Sequence, residues 1–129
     1  MKKYILFAAL LALLLSGCAA KEAGEYRKIS PEEAKNMMDT LEDYIVLDVR
    51  TKEEFDAGHI EGATLLPQEE LAEQYMAAQC AKDAVILVYC QSGRRSELAS
   101  NTLCKWGYSN VYDFGGLNDW PYETVTIEE

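Results

Sequence analysis

The sequence is short of the residues on which several functions depend. It has one histidine, His59, and four cysteines in 129 residues. A single histidine with no His/Cys cluster around it offers no metal-ligand set. Four cysteines are too few for a fold stapled together by disulfides. Cations are scarce too: 12 Lys and Arg against 22 Asp and Glu give a formal charge of −10. A nucleic-acid surface needs clustered cations to displace counterions, so this balance argues against one. No internal repeat or low-complexity segment is visible. What is present is ordinary for one globular domain: 49% hydrophobic and 26% charged residues.

The first 25 residues stand apart from that domain. Lys2 and Lys3 precede an uncharged apolar run of 12 residues, Tyr4 to Leu15. At about 1.5 Å per residue the run reaches only about 18 Å as a helix. The hydrocarbon core of a bilayer needs roughly 30 Å. The run therefore fits the apolar region of a secretory signal and not a membrane span. It ends Leu15-Ser16-Gly17-Cys18, which resembles the lipobox of bacterial lipoproteins. The resemblance implies cleavage before Cys18, lipidation of Cys18, and an exported chain held to a bacterial membrane on its periplasmic or extracellular face. Residues 1–17 are then a signal peptide, residues 18–25 a small, polar tether, and residues 26–129 the domain. Cleavage leaves 112 residues with a side-chain charge of −12, because Lys2 and Lys3 are lost.

From Tyr26 onward, strand-like and helix-like segments alternate. Tyr26–Ile29 reads as a short strand. Ser30-Pro31-Glu32-Glu33 is a helix start, with Ser30 as N-cap, Pro31 at the first helical position and Glu33 closing a capping box. Ala34, Met37, Met38 and Leu41 follow at helical spacing. Tyr44–Val49 is a nearly continuous apolar strand, as expected when both faces are covered. Thr51-Lys52-Glu53-Glu54 is a second capping box, opening a short helix that Gly58 ends. Ala63–Leu66 is another short strand, closed by Pro67. Gln68–Gln79 predicts a helix carrying Leu71, Ala72, Tyr75, Met76 and Gln79. Val85–Tyr89 is the most hydrophobic strand. Ser96–Trp106 predicts a helix facing the core with Leu98, Ala99, Thr102, Leu103 and Trp106. Val111–Phe114 is a last strand before Gly115-Gly116 and a turn of helix near Leu117–Trp120. This alternation predicts an α/β domain with a parallel sheet and helices on both faces. Ligands bind such sheets beyond the carboxyl ends of the strands.

The segment Cys90-Gln91-Ser92-Gly93-Arg94-Arg95-Ser96 leaves the central strand through a tight loop and enters a helix. Such a turn gathers backbone N–H groups and a helix N-terminus around Cys90. Gly93 suits a position needing positive φ. Cys90 is the candidate nucleophile, acting as its thiolate. A buried structural cysteine would explain Cys90 alone, but not the glycine, the two arginines and the serine that follow it. Two chemistries use a cysteine so placed. Phosphatases use Cys-x5-Arg-Ser/Thr, whereas here Cys90 to Arg95 is Cys-x4-Arg. The shorter loop makes a smaller ring of donors, suited to a single sulfur atom and not to a tetrahedral phosphate.

The other chemistry is sulfane-sulfur transfer, and here the sequence resembles the rhodanese family. Tyr89-Cys90-Gln91-Ser92-Gly93-Arg94-Arg95-Ser96 matches the family loop Tyr-Cys-x-Ser-Gly-x-Arg-Ser throughout. A second block is Asp48-Val49-Arg50, Glu54-Phe55, Gly58-His59-Ile60 and Gly62-Ala63. A third is Gly115, Gly116 and Trp120. Glu61 departs from the family, which often has proline there. The resemblance implies a five-stranded parallel sheet with helices on both sides. It implies a sulfurtransferase that takes sulfur from a donor such as thiosulfate onto Cys90 as a persulfide. A thiophilic acceptor then removes it: cyanide or a thiol, including a protein thiol. No metal or organic cofactor is required. The alternatives are a persulfide carrier, a non-catalytic binding module and, less favoured, a phosphatase or arsenate reductase.

The remaining candidates cluster around Cys90. Gln91, Ser92, Gly93, Arg94, Arg95 and Ser96 are read as substrate-binding, with Arg95 anchoring the helix start and positioning an anionic donor. Ser92 and Ser96 are candidate hydroxyl donors to sulfur, and Ser96 alternatively an N-cap. Asp48 and Arg50 are read as loop support through an ion pair, and His59 as part of a structural turn. Cys80 and Cys104 have no assigned role, and export would permit a disulfide between them.

Overall fold

The computed structural model describes residues 24–127. The leader, the lipobox and Cys18 lie outside the described residues. Five strands form one sheet: β1 (Arg27–Lys28), β2 (Ile45–Asp48), β3 (Thr64–Leu65), β4 (Val85–Cys90) and β5 (Asn110–Gly116). Their order is β1-β5-β4-β2-β3, with every pairing parallel. Four α-helices connect them: α1 (Pro31–Thr40), α2 (Lys52–Ala57), α3 (Glu73–Gln79) and α4 (Arg94–Lys105). The predicted parallel α/β architecture is the one observed.

The alternation of side chains along β4 divides the core in two. Ile86, Val88 and Cys90 face a cluster that includes Met76 of α3 and Ala99, Leu103 and Cys104 of α4. Leu87 and Tyr89 face the other cluster, with Ala34 of α1, Val46 and Phe114. Helices thus cover both faces, and β4, the middle strand, delivers Cys90 at its carboxyl end.

Both capping boxes form. Ser30 Oγ accepts from Glu33 N at 3.0 Å, and Thr51 Oγ1 accepts from Glu54 N at 3.2 Å. Leu41 caps the end of α1 and is exposed, so it does not extend the buried face. The helix predicted over Gln68–Gln79 is broken. A 3₁₀ turn spans Gln68–Glu70, Leu71 and Ala72 are extended, and α3 follows. Leu71 and Met76 both pack into the α3/α4-side cluster. Five residues apart, they would lie about 140° apart around a continuous helix of about 3.6 residues per turn. The break brings both to one side, and Tyr75 is left exposed.

The last helix also differs. It starts at Arg94, two residues before the predicted Ser96, because Gly93 turns the chain in the left-handed region at φ 101°. Its buried residues are Ser96, Ala99, Ser100, Leu103 and Cys104, while Leu98 is half exposed. Small side chains at Ser96, Ala99 and Ser100 let α4 lie close to β4 and β5, which sets the buried face one position away from Leu98.

Candidate active site

Cys90 is the last residue of β4 and is fully buried. The chain then turns back on itself, and Gly93 N–H donates to Cys90 Sγ at 3.0 Å. Gly93 also serves as N-cap of α4 without a capping side chain. The first-turn N–H groups of this 12-residue helix therefore have no side-chain oxygen competing for them. Gly93 and Gly116 make this packing possible. A Cβ on Gly116 would sit 2.1 Å from Gln91 O, so only glycine lets the end of β5 close against the loop.

Under the loop lies a buried polar network. Asp48, wholly buried at the end of β2, accepts from Arg50 N at 3.0 Å, Arg50 Nε at 2.9 Å and Arg50 Nη2 at 2.6 Å. It also accepts from Tyr89 Oη at 2.6 Å. Tyr89 Oη in turn accepts from Ile60 N at 3.1 Å, and Arg50 Nη2 also donates to Gly58 O at 2.7 Å. A buried charge pair persists only when its remaining hydrogen-bonding groups are satisfied, and here the neighbours satisfy them. Burial, with the Asp48 carboxylate beside it, pushes the Tyr89 phenol well above its ordinary value. The guanidinium of Arg50 is opposed by burial, but the Asp48 hydrogen bonds and charge outweigh this and hold it protonated.

Arg95 forms a two-pronged pair with Glu54, at 2.8 Å and 2.9 Å. That contact, with the Thr51 capping bonds, outweighs partial burial and holds the Glu54 carboxyl down at about 2. Arg94 is exposed and joins none of the ion pairs among the described residues. Ser96 is not an N-cap: it lies in the first turn of α4 and donates to Gly93 O at 3.1 Å. Ser92 is exposed at the bend. Gln91 turns its side chain inward to Arg50. His59 is buried, stacked on Phe55 at 3.7 Å, with Nδ1 2.8 Å from Phe55 O. It makes no hydrogen bond to the loop. Cys80, Cys90 and Cys104 are all free thiols.

A cleft of about 740 Å³ lies elsewhere, between α1 and the segment Trp120–Glu123. No loop residue borders it. A hollow of about 400 Å³ does border the loop, lined by Ser92, Gly93 and Arg94 with Lys28, Glu97 and Gly115. Three roles at the site are not found from the sequence alone: Glu54 as the partner of Arg95, Tyr89 as a hydrogen-bond donor to Asp48, and Asn118 as the acceptor of a bond from Gln91 Nε2 at 2.6 Å. Glu54 is visible there as a capping residue, but its second partner is 41 positions away.

A thiol at the carboxyl end of the middle strand of a parallel sheet, met by the Gly93 N–H of a short loop that opens a helix, defines a class of α/β domain. Comparison with known proteins gives that class its family. The model of the rhodanese-like domain matches residues 30–122, and the chain belongs to that family. It is 38% identical over 97 residues to the thiosulfate sulfurtransferase GlpE of Pseudomonas entomophila, covering 74% of this chain and 85% of that one. It is 37% identical over 73 residues to the thiosulfate sulfurtransferase PspE of Escherichia coli, covering 57% of this chain and 70% of that one. It is also 34% identical over 107 residues to YrkF of Bacillus subtilis, whose name describes a sulfur carrier; the match spans 82% of this chain but only 57% of that protein. Among solved structures, a rhodanese-related protein from Thermoplasma volcanium superposes with a TM-score of 0.67 at 30% identity, covering 80% of this chain and all of that one.

Proposed function

We propose that this protein transfers sulfane sulfur through a persulfide on Cys90. The observation that carries the reading is the Gly93 N–H donated to Cys90 Sγ at 3.0 Å inside the loop. With thiosulfate as donor, the Cys90 thiolate attacks the outer sulfur. A Cys90 S–S bond forms, the sulfur–sulfur bond of thiosulfate breaks, and sulfite leaves with its electron pair. An acceptor nucleophile, cyanide or a thiolate, then attacks the outer persulfide sulfur and restores the Cys90 thiolate. Every step is a two-electron displacement at sulfur, so no external redox agent enters the cycle. Developing negative charge on sulfur is met by the Gly93 N–H already in position. Cys90 is buried, so donor entry requires the exposed side chains of Ser92 and Arg94 to move aside while the Gly93 N–H stays in place.

The test is thiocyanate release from thiosulfate and cyanide by residues 18–129, against Cys90→Ser. The expected result is activity in the parent and none in the variant; equal rates would end the reading. Full burial of Cys90 also suits a carrier that releases sulfur only to a docked partner. Such a protein would gain one sulfur by intact mass after thiosulfate treatment, yet turn over poorly with cyanide.

We further propose that the chain is exported and anchored through a lipid on Cys18. The support is the charged start, the short apolar run and Leu15-Ser16-Gly17-Cys18. Labelling of the full chain with an alkyne fatty acid in bacteria tests it. Label that persists in Cys18→Ala would rule out that anchor.

A further inference from the structure

Gln91 follows the nucleophile directly, yet its side chain is turned away from the loop mouth and held on both ends. Arg50 Nη1 donates to Gln91 Oε1 at 2.9 Å. A guanidinium can only donate, so this contact fixes which end of the Gln91 amide faces inward. The other end, Gln91 Nε2, then donates to Asn118 Oδ1 at 2.6 Å. Asn118 closes the ring from its own backbone, its N–H donating to Gln91 O at 3.1 Å. Gln91 O is also the atom against which Gly116 packs. The loop residue next to Cys90 is thus gripped through its carbonyl and both ends of its amide. Its partners are the buried Asp48–Arg50 pair on one side and the 3₁₀ turn Leu117–Asp119 on the other. Asn118 itself is exposed.

We infer that Gln91 and Asn118 form a latch that holds the Cys90 loop closed around sulfur, acting as positioning residues for the transfer reaction. Neither touches Sγ. Each acts by fixing the Gln91 peptide from which the rest of the loop, including the Gly93 N–H, is hung. The catalytic part of this inference rests on the sulfur-transfer reading; the loop-holding part does not.

Two measurements on the same variants test it: the rate at which iodoacetamide alkylates Cys90, followed by peptide mass, and the kcat and KM of thiosulfate:cyanide transfer. Asn118 is exposed, so Asn118→Leu should fold, and an unchanged thermal midpoint within a few degrees verifies this. Asn118→Leu is expected to speed Cys90 alkylation at least fivefold while leaving Cys80 unchanged. It should lower kcat about five- to tenfold, as loss of a hydrogen bond worth about one factor of ten allows, with a smaller change in KM. Asn118 serves as an acceptor at Oδ1, so Asn118→Asp should rescue most of both effects. Gln91→Leu combined with Asn118→Leu should be little worse than either alone, the mark of two residues acting as one unit. Alkylation of Cys90 unaffected by Asn118→Leu, or Asn118→Asp as damaging as Asn118→Leu, would overturn the latch. If the parent protein takes up no sulfur from thiosulfate while alkylation responds as expected, the latch stands and the transfer reading fails.

Discussion

On one flank of Cys90, the residues Tyr89, Asp48, Arg50 and Gln91 are buried or half-buried and exchange a continuous series of hydrogen bonds. On the other flank, Ser92 and Arg94 are exposed, and among the described residues neither side chain has a hydrogen-bond partner. The loop is therefore anchored at its start and free at its bend. A sulfur-transfer site has use for both properties. On that reading, the anchored start of the loop holds the backbone from which the Gly93 N–H reaches Cys90 Sγ, so that little reorganisation is needed as charge develops. The exposed side chains of Ser92 and Arg94 would then be what an incoming sulfur donor or acceptor meets first. Local opening is drawn from the regions with fewest buried contacts, and in this loop that region is the bend.

The contrast is sharpest at Gly116 and Ser92, which adjoin the same stretch of loop. A methyl group on Gly116 would come within 2.1 Å of Gln91 O and 2.7 Å of Ser92 N. Backbone cannot yield as a side chain end can, so Gly116→Ala should push the loop away from β5. The expected cost is about 1–3 kcal/mol or more of stability, with transfer activity reduced more than tenfold. Ser92→Ala, on the free side, should shift the thermal midpoint by less than a degree or two. Comparable losses in the two variants, measured by thermal melts and thiocyanate release, would dissolve the distinction between the flanks.

What is legible in the sequence depends on distance along the chain. The capping boxes at Ser30 and Thr51 are local, with every participant within three positions, and both form as expected. Gly93 is legible as a positive-φ residue for the same reason. The break within 68–79 is not legible, because the need to bury Leu71 and Met76 in one cluster is imposed by α4 and β4, not by local propensity. The role of Glu54 is half legible. Its bonds to Thr51 are written in a four-residue motif, but its pair with Arg95 joins segments 41 positions apart. Without that distant partner in view, Arg95 reads as a residue that positions the donor. The structure gives its guanidinium to Glu54, and the positive charge offered to an incoming anion is reduced accordingly. Gly116 can be named as a family residue, yet nothing local says that Gln91 O is what it must clear.

The two capping boxes provide a control for the smaller effects. Glutamine closes a capping box as glutamate does, so Glu33→Gln and Glu54→Gln both keep the helix start. Only Glu54→Gln also loses the ionic contact to Arg95. Glu33→Gln should be nearly neutral; Glu54→Gln should cost up to about 1 kcal/mol, since the pair is partly exposed, and should lower kcat/KM a few-fold. The pH dependence has a defined sign. The Glu54 carboxyl is held down at about 2 in the folded chain, against 4.5 ordinarily. Its contribution is then fully present above about pH 4.5 and is lost as pH falls toward about 2. The stability gap between the parent and Glu54→Gln should be constant near neutrality and close in acid. A gap undiminished at pH 2, where the carboxyl is half protonated, would show that the contact is not ionic.

The remaining expected effect, on donor affinity alone, belongs to Arg94, on the free flank. Arg50 is committed to Asp48 and Arg95 to Glu54, so Arg94 is the loop guanidinium left without an ion-pair partner among the described residues. It faces a chain whose side-chain charge over residues 18–129 is −12. An anionic donor such as thiosulfate thus meets long-range repulsion from the whole molecule and short-range attraction from one side chain. Salt separates the two, because charges more than about 10 Å apart are largely screened at 0.1 M while a contact is screened much less. In the parent protein, thiosulfate KM should fall modestly as salt rises from low ionic strength. In Arg94→Ala, KM should be about two- to fivefold higher, the change falling on KM more than on kcat. Its decline with salt should also be steeper, since repulsion is then less opposed. A parent KM that climbs steeply with salt would reverse the assignment, making the local positive field dominant. In that case Arg94→Ala should flatten the slope, and the free flank would be the one that selects the donor by charge.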